Sequence, residues 1–286
     1  MLTNGSERVS TVLPAKPSLY RRSRMVLADS VVAAVQSARN VFASPVDDPV
    51  FVFGNQKSGT TVIAALLSRA TGLTVTLDFH GAREPQLGRL FRGELGIERF
   101  VALNRYPLSR AIVKEPNLTF VADQLMEHFG CSKAVFVVRD PRTNIRSLLT
   151  RLSIPGDLDA LSLDDVWLPN ATWRSILEGR YLDSGYTHYI DVLAHRWKAA
   201  AAVYFKEPRK YTLLRYEDFL QDKVGGIISL AFSLNLGLVN DITPYVDVQY
   251  QTVSDKRVAV REFFGEKNLS RIDTICSEYM DLLRYG

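Results

Sequence analysis

Residues 52 to 61 read Val52-Phe53-Gly54-Asn55-Gln56-Lys57-Ser58-Gly59-Thr60-Thr61. An apolar run from Pro49 to Phe53 leads into them, and Val62, Ile63, Leu66 and Leu67 follow at helical spacing. A strand, a turn of small residues and a helix together build an anion cradle. The turn's backbone N–H groups and the positive end of the helix converge on one point, and Lys57 adds a full charge. The stretch is therefore expected to hold a phosphate. The order of its residues limits which one. In the nucleoside-triphosphate loop G-x-x-x-x-G-K-[ST], the lysine follows the second glycine. Gly54 and Gly59 keep that spacing, but Thr60 stands in the lysine position and Lys57 lies inside the loop. The bland reading is a glycine turn carrying a surface lysine.

Two further segments repeat the strand-to-helix pattern. Ala134-Val135-Phe136-Val137-Val138 is a run of the kind buried in parallel sheets. It ends in Arg139-Asp140-Pro141-Arg142, where Pro141 suits a first helical turn and the helix presents Arg142, Arg146 and Ser147. An arginine fork gives a phosphate two charge-assisted hydrogen bonds, while an Arg139–Asp140 pair beside a helix cap is the plain alternative. Tyr211-Thr212-Leu213-Leu214-Arg215-Tyr216-Glu217-Asp218 is a second strand-like run, leading to a helix start at Asp218-Phe219-Leu220. Strands near 50, 112, 135 and 212 alternate with helical patterns. The expected fold is α/β and P-loop-like, three layers with a central parallel sheet flanked by helices.

Lys57-Ser58-Gly59-Thr60-Thr61 resembles the 5'-phosphosulfate loop of the sulfotransferases, close to P-K-[ST]-G-T-[ST]. Gln56 stands where proline is usual there, and Val62 where many members carry tryptophan. Arg139 and Ser147 match the family's 3'-phosphate motif, roughly R-[ND]-P-R-x-x-x-x-S, and Arg215-Tyr216-Glu217-Asp218 resembles its R-Y-E-D-L segment. The C-terminal stretch from Ile275 to Gly286 is similar to the closing helix and terminal Gly-Tyr, with the last pair inverted. The resemblance spans about residues 49 to 286, and it implies a donor, 3'-phosphoadenosine 5'-phosphosulfate (PAPS), with no metal. In that scheme Lys57 and the loop N–H groups neutralise the departing phosphate. Ser58, Gly59, Thr60 and Thr61 complete the 5'-phosphate site, and Arg139 with Ser147 holds the 3'-phosphate. Tyr216 lies near the adenine, and Arg257, in Ser254-Asp255-Lys256-Arg257, sits where the family has a basic loop closing over the nucleotide.

The resemblance leaves the general base open. Cytosolic phenol and steroid members use a histidine shortly after a lysine, but Ala111-Ile112-Val113-Lys114-Glu115-Pro116-Asn117 contains none. Carbohydrate and protein-tyrosine members place a glutamate beyond the helix that follows the loop. Here that region reads Leu77-Asp78-Phe79-His80-Gly81-Ala82-Arg83-Glu84-Pro85, and Glu84 lies 27 positions after Lys57. Glu84 is the expected base, with Glu115 and His80 as alternatives and a surface Arg83–Glu84 pair as the plain reading. Lys114 is expected to be a second cation near the sulfuryl group, against a solvated loop lysine. The missing histidine and the absent R-K-G pattern resemble a bacterial-type branch that acts on a glycan, a glycolipid or a small natural product.

Composition agrees without deciding. The chain has 286 residues, 47% hydrophobic, enough for one sizeable core, and its net charge of +4 carries no basic stripe interleaved with aromatics, so no nucleic-acid partner is expected. Cys131 and Cys276 are too few for a disulfide framework and are expected to be buried thiols, and His80, His128, His188 and His195 form no metal cluster. Residues 49–286 read as one catalytic domain, with 153–189 as either an inserted helical pair with its own small core or an acceptor-site lid. That segment carries Trp167, Trp173, Tyr181 and Tyr186 among Asp157, Asp159, Asp164, Asp165 and Asp183, which suits a sugar ring or a cationic molecule. Residues 1–48 read as a flexible tail plus a helix. The stretch 20–43, with Arg21, Arg22 and Arg24, is either a helix packed on the domain or a basic segment in peripheral contact with a membrane. Without a leader-like start the expected location is cytoplasmic. The rival classes are a P-loop-type nucleotide kinase, which needs a lysine at position 60, and a non-catalytic nucleotide-binding scaffold at a membrane.

Overall fold

The computed structural model describes residues 19–131, 134–182, 185–248 and 258–286. Five strands form its centre: β1 (Val50–Phe53), β2 (Val75–Leu77), β3 (Ile112–Lys114), β4 (Ala134–Val138) and β5 (Tyr211–Arg215). They lie in the order β2-β3-β1-β4-β5, and every pairing is parallel. Four of them coincide with the apolar runs. The edge strand β2 is the addition: three half-buried residues are too short for any periodicity to show.

Parallel strands require long crossovers, and helices supply them. In chain order these are α1 (Leu19–Asn40), α2 (Thr60–Thr71), α3 (Gln86–Phe91), α4 (Ile97–Leu103), α5 (Ala122–Phe129), α6 (Pro141–Leu152), α7 (Ala171–Leu177), α8 (Tyr189–Lys206), α9 (Tyr216–Gln221), α10 (Lys223–Ser233) and α11 (Val260–Leu282). Successive strand side chains face opposite ways, so β1 feeds two cores. Phe51 and Phe53 join Val113, Phe136 and Leu125 of α5 on one face. On the other, Val52 joins Val135, Val137, Leu66 of α2 and Leu230 of α10. A third cluster, around Leu149, Ile190, Trp197, Ile272 and Met280, packs α6, α8 and α11 together. Each large side chain removed from water in these layers contributes about 1.5–3 kcal/mol before entropy is counted. This is the expected three-layer arrangement.

The topology also fixes where a ligand can sit. From β1 the chain runs to β2 and β3 on one side, and then returns to β4 on the other. Loops leaving β1 and β4 therefore part at this switch, and their crevice opens at the carboxyl ends of the strands. Away from it, the end of α1 is pinned to the body by Gln36 Nε2 donating to Asn104 Oδ1 (3.2 Å), Arg39 Nη1 to Tyr106 Oη (2.9 Å) and Asn40 Nδ2 to the Leu103 carbonyl (2.6 Å). Val31, Val32 and Val35 stay exposed on this helix. No helix among the described residues is long and apolar enough to cross a membrane. Cys131 and Cys276 are buried free thiols.

Candidate active site

The loop after β1 turns tightly because its backbone enters the left-handed region three times, at Gly54 (φ 139°), Lys57 (φ 68°) and Gly59 (φ 95°). Gly54 is obligatory on two counts: a Cβ there would lie 2.3 Å from the Val137 carbonyl oxygen of β4. At Gly59 a Cβ would lie 2.3 Å from Cδ2 of Tyr216, so the tyrosine ring rests directly on the loop. Arg139 completes the stack, its guanidinium 4.8 Å from the centroid of the same ring. Helix α2 begins immediately after Gly59 and receives no side-chain cap there. Its first N–H groups are thus left facing the crevice, which is what an anion site needs.

Buried amides hold the loop in this shape. Asn144 of α6 donates from Nδ2 to the Gln56 carbonyl (2.9 Å) and to Ser58 Oγ (3.0 Å), while its Oδ1 accepts from Asn55 Nδ2 (3.0 Å). Thr119 Oγ1 accepts the Gly54 N–H at 2.9 Å. Gln56, in the usual proline position, donates through Nε2 to Asn117 Oδ1 and accepts through Oε1 from Arg196 Nε at 3.0 Å. Arg196 is 1% exposed and lies 4.5 Å from the Phe120 centroid, and its Nη2 has no hydrogen-bond partner among the described residues. Burial lowers its pKa only to about 10, so a full positive charge remains behind the loop at neutral pH.

In front of the loop lies a cavity of about 900 Å³. Gln56, Lys57, Gly59, Thr60 and Thr61 line one side, with Arg139, Thr143 and Ser147 beside them and Tyr216, Phe219 and Lys223 beyond. Ser58 is 1% exposed and lies beneath the surface, where its hydroxyl serves Asn144. The two phosphate motifs thus converge on one space. Arg139 makes no ion pair with Asp140. It donates from Nη1 to the Lys57 carbonyl (3.0 Å) and from Nε to Thr143 Oγ1 (3.0 Å), so the 3'-phosphate candidate is fixed to the 5'-phosphate loop. Asp140 instead caps α6 at Arg142 N (2.8 Å) and pairs with the Arg142 side chain. Arg142 faces away from the cavity, donating to the Tyr285 carbonyl at 2.6 Å, and Tyr285 Oη reaches Glu217 at 2.8 Å.

The acid–base end sits beside Lys57. Lys114, the last residue of β3, is 1% exposed and its Nζ lies 2.5 Å from Asp78 Oδ1. It is therefore no solvated loop lysine. Asp78 follows β2 directly in a left-handed conformation (φ 63°), held by its N–H donating to the Lys114 carbonyl at 2.9 Å. Lys57 is pushed down to about 8, first by burial, then by the charges of Arg151, Arg139 and Lys114, with Asp78 opposing. Glu115 is pushed well above the usual carboxylate range by burial and then by the Asp78 charge. Both its oxygens are engaged with backbone N–H groups, of Phe79 (3.3 Å) and Asn117 (3.0 Å).

Lys57, Lys114 and Glu115 thus meet in the cavity, while Glu84 and His80 are absent from its lining. The Glu84 carboxylate is turned aside, accepting from Ser175 Oγ at 2.8 Å and from the Tyr181 hydroxyl. Of the carboxylates in the 77–85 segment, Asp78 lines the cavity and Glu84 does not. Asp78's position directly after an edge strand of three residues leaves no periodicity to read, and a carboxylate one residue beyond a strand end is the signal that points to it. Arg257 lies outside the described residues, as does Asp183. From the 153–189 segment the wall receives Pro169, Asn170, Thr172, Trp173 and Ile176. None of its described aspartates lines the cavity: Asp159 pairs with Lys267 and Asp164 with Arg174 at 2.7 Å each, on the outside. Tyr186 stacks on His195 instead, at 3.7 Å. Among the described residues no group of His, Cys, Asp and Glu is arranged to hold a metal ion.

No family model matches this chain, and no curated protein does. Solved structures do. Sulfotransferase STF9 from Mycobacterium avium superposes with a TM-score of 0.52 at 14% identity, over 93% of this chain and 86% of that one. Sulfotransferase STF1 from Mycobacterium tuberculosis H37Rv gives 0.47 at 13% identity, over 88% and 84%. Mouse sulfotransferase SULT7A1 complexed with PAP gives 0.46 at 18% identity, over 86% and 89%. At these identities a superposition speaks for architecture, and the weight rests on the first. Together with the parallel sheet and the loop after β1, it gives this chain the fold of the sulfotransferases.

Proposed function

We propose that this chain transfers a sulfuryl group from PAPS to a hydroxyl or amine of a small-molecule, glycan or glycolipid acceptor. The observation that carries the reading is one cavity receiving the uncapped start of α2, Lys57, Arg139 and Ser147 together. Thr60, Thr61 and the first N–H groups of α2 would hold the 5'-phosphate, and Arg139, Thr143 and Ser147 the 3'-phosphate. The Tyr216 ring, stacked between Arg139 and Gly59, and Phe219 would border the base. Lys57 stabilises the charge that grows on the phosphate as the S–O bond breaks, in a partly desolvated site where a fixed cation is most effective.

Asp78 is the base in this scheme, in place of Glu84. Its carboxylate lines the cavity and takes the acceptor's proton as the new O–S or N–S bond forms, while Lys114 holds that carboxylate in position. Glu115, buried and with both oxygens occupied, braces the loop that carries Asn117. The wall from Pro169 to Ile176 supports the lid reading of residues 153–189. A cytoplasmic location with peripheral membrane contact through residues 20–43 suits the exposed Val31, Val32 and Val35. Calorimetric titration with adenosine 3',5'-bisphosphate (PAP), without metal, tests the whole. Micromolar binding weakened by Arg139→Ala and Ser147→Ala is expected; a preference for Mg·ATP would return the loop to the kinases.

A further inference from the structure

Among the described residues four carboxylates line the cavity: Asp78, Glu115, Glu217 and Asp247. A carboxylate facing bound phosphates repels them unless its own charge is answered. Asp78 is answered by Lys114 and Asp247 by Lys223, each at 2.5 Å, and Glu115 by two backbone N–H groups. Glu217 stands next to Tyr216, the ring on which the Arg139 guanidinium rests. Its two oxygens are held by two neutral donors. Oε1 accepts the Asp140 N–H at 3.1 Å, and Oε2 accepts the Tyr285 hydroxyl at 2.8 Å. The first bond fixes the peptide directly after Arg139. The second fixes the carboxylate itself.

Tyr285 is absent from the cavity lining and 5% exposed, yet it is secured from several directions. Its carbonyl accepts from Arg142 Nη2 at 2.6 Å, and its N–H donates to the Met280 carbonyl at 2.8 Å. Its ring lies 4.6 Å from the Arg215 guanidinium. Tyr285 therefore grips the Arg139–Arg142 turn twice, directly at Arg142 and through Glu217 at Asp140. Burial and the Glu217 charge push its phenol well above the usual tyrosine range, so it remains a donor at neutral pH.

Resting on the sulfotransferase reading, we propose that Tyr285 is a positioning residue for the donor's 3'-phosphate. By occupying one oxygen of Glu217, it lets a single carboxylate anchor the turn that carries Arg139 without opposing the phosphate that Arg139 holds. Without the hydroxyl, Glu217 keeps its charge but has an oxygen released at the cavity wall. That oxygen would repel the phosphate and compete with it for the arginine. The 5'-phosphate site is built from the loop after β1 and the start of α2, so the loss should fall on the 3'-phosphate.

The test compares PAP with adenosine 5'-monophosphate on the full chain, the first by calorimetry and the second by displacement of PAP. Tyr285→Phe removes the hydroxyl and keeps the ring. It should weaken PAP about tenfold, the lower end of what a hydrogen bond to a charged group supplies, and leave the monophosphate within about threefold. On a Glu217→Gln background, where no charge is released, the same substitution should cost about threefold or less. Equal weakening of both ligands overturns the inference, because Tyr285 would then only support the fold. Unchanged PAP affinity overturns it too, as does a cost that persists in full on the glutamine background. Should Tyr285→Phe not fold, Glu217→Asp, one carbon short of its two donors, should show the same selective loss, and its absence is equally fatal. Failure of wild-type protein to bind PAP sinks the sulfotransferase reading and this inference with it, whereas PAP binding without the selective loss sinks this inference alone.

Discussion

Replacing Gly59 by alanine probes the contact on which the nucleotide site is built. The residue sits at φ 95°, where an L-residue costs about 1–2 kcal/mol relative to glycine. The new methyl would also lie 2.3 Å from Cδ2 and 2.4 Å from Cε2 of Tyr216. No rearrangement of a few tenths of an ångström relieves that overlap, so the ring must leave. It then loses the Arg139 guanidinium stacked on it, about 0.5–1 kcal/mol. The sum is about 1.5–3 kcal/mol, which at about 1.4 kcal/mol per tenfold weakens PAP about 10- to 150-fold. Titration calorimetry measures it directly. Gly93→Ala is the control: φ there is 72° with nothing within 4 Å of the added carbon, so it carries the backbone cost alone and should leave PAP binding untouched. On a Tyr216→Ala background, Gly59→Ala should cost only its backbone part, about 1–2 kcal/mol. If Gly59→Ala bound PAP within about threefold of wild type, the stack described here would not be part of the nucleotide site.

Four other outcomes are expected. Lys57→Ala should lower kcat by about 10²–10³-fold, as removal of a group facing developing charge does, in a radiolabelled sulfuryl-transfer assay. Asp78→Asn should cost about 10²–10⁴-fold in kcat with PAP affinity retained, whereas Glu84→Gln should leave kcat within about threefold, and the reverse ranking would restore Glu84 as the base. Because the free-enzyme Lys57 titrates near 8, its protonated form is lost as pH rises through that value, so kcat/KM should fall there. Glu115 binds its proton more tightly folded than unfolded, so its contribution to stability is full below the ordinary glutamate value of about 4.3 and is lost as pH climbs through the raised one. Thermal melts from pH 4 to 9 should therefore show a decline in wild type that Glu115→Gln flattens.

Contiguous sequence made the donor side legible. Phosphate cradles are built from one strand end, one turn and one helix start, so Lys57, Thr60, Thr61, Arg139, Ser147 and Tyr216 all fall within short local patterns, and the structure brings them to one cavity. The acceptor side is assembled from distant pieces, and there residue types and spacing do not say which side chains face the cavity. Asp78 depends on an edge strand of three residues, recognisable only through its register with Lys114 on β3. Glu84 has the expected composition and spacing, but Ser175 and Tyr181, about ninety positions further on, turn its carboxylate aside. The aspartates of the 153–189 segment show the same limit, since composition does not say which face of a loop looks inward. Arg196 bears no local mark of its role, standing 140 residues from the glutamine it supports.

That long-range pair has a consequence for how the sequence can drift. Gln56 offers its oxygen to a buried guanidinium that pairs with no carboxylate among the described residues, and its amide to Asn117. Proline at position 56 would withdraw both contacts and strand a charge in the protein interior, whereas loss of Arg196 alone would leave the glutamine oxygen unanswered. Neither substitution is tolerable by itself, so the two positions should change as a unit. Descendants of this chain that carry proline before the loop lysine should also carry an uncharged residue on the α8 turn beneath it, and those that keep the glutamine should keep the arginine.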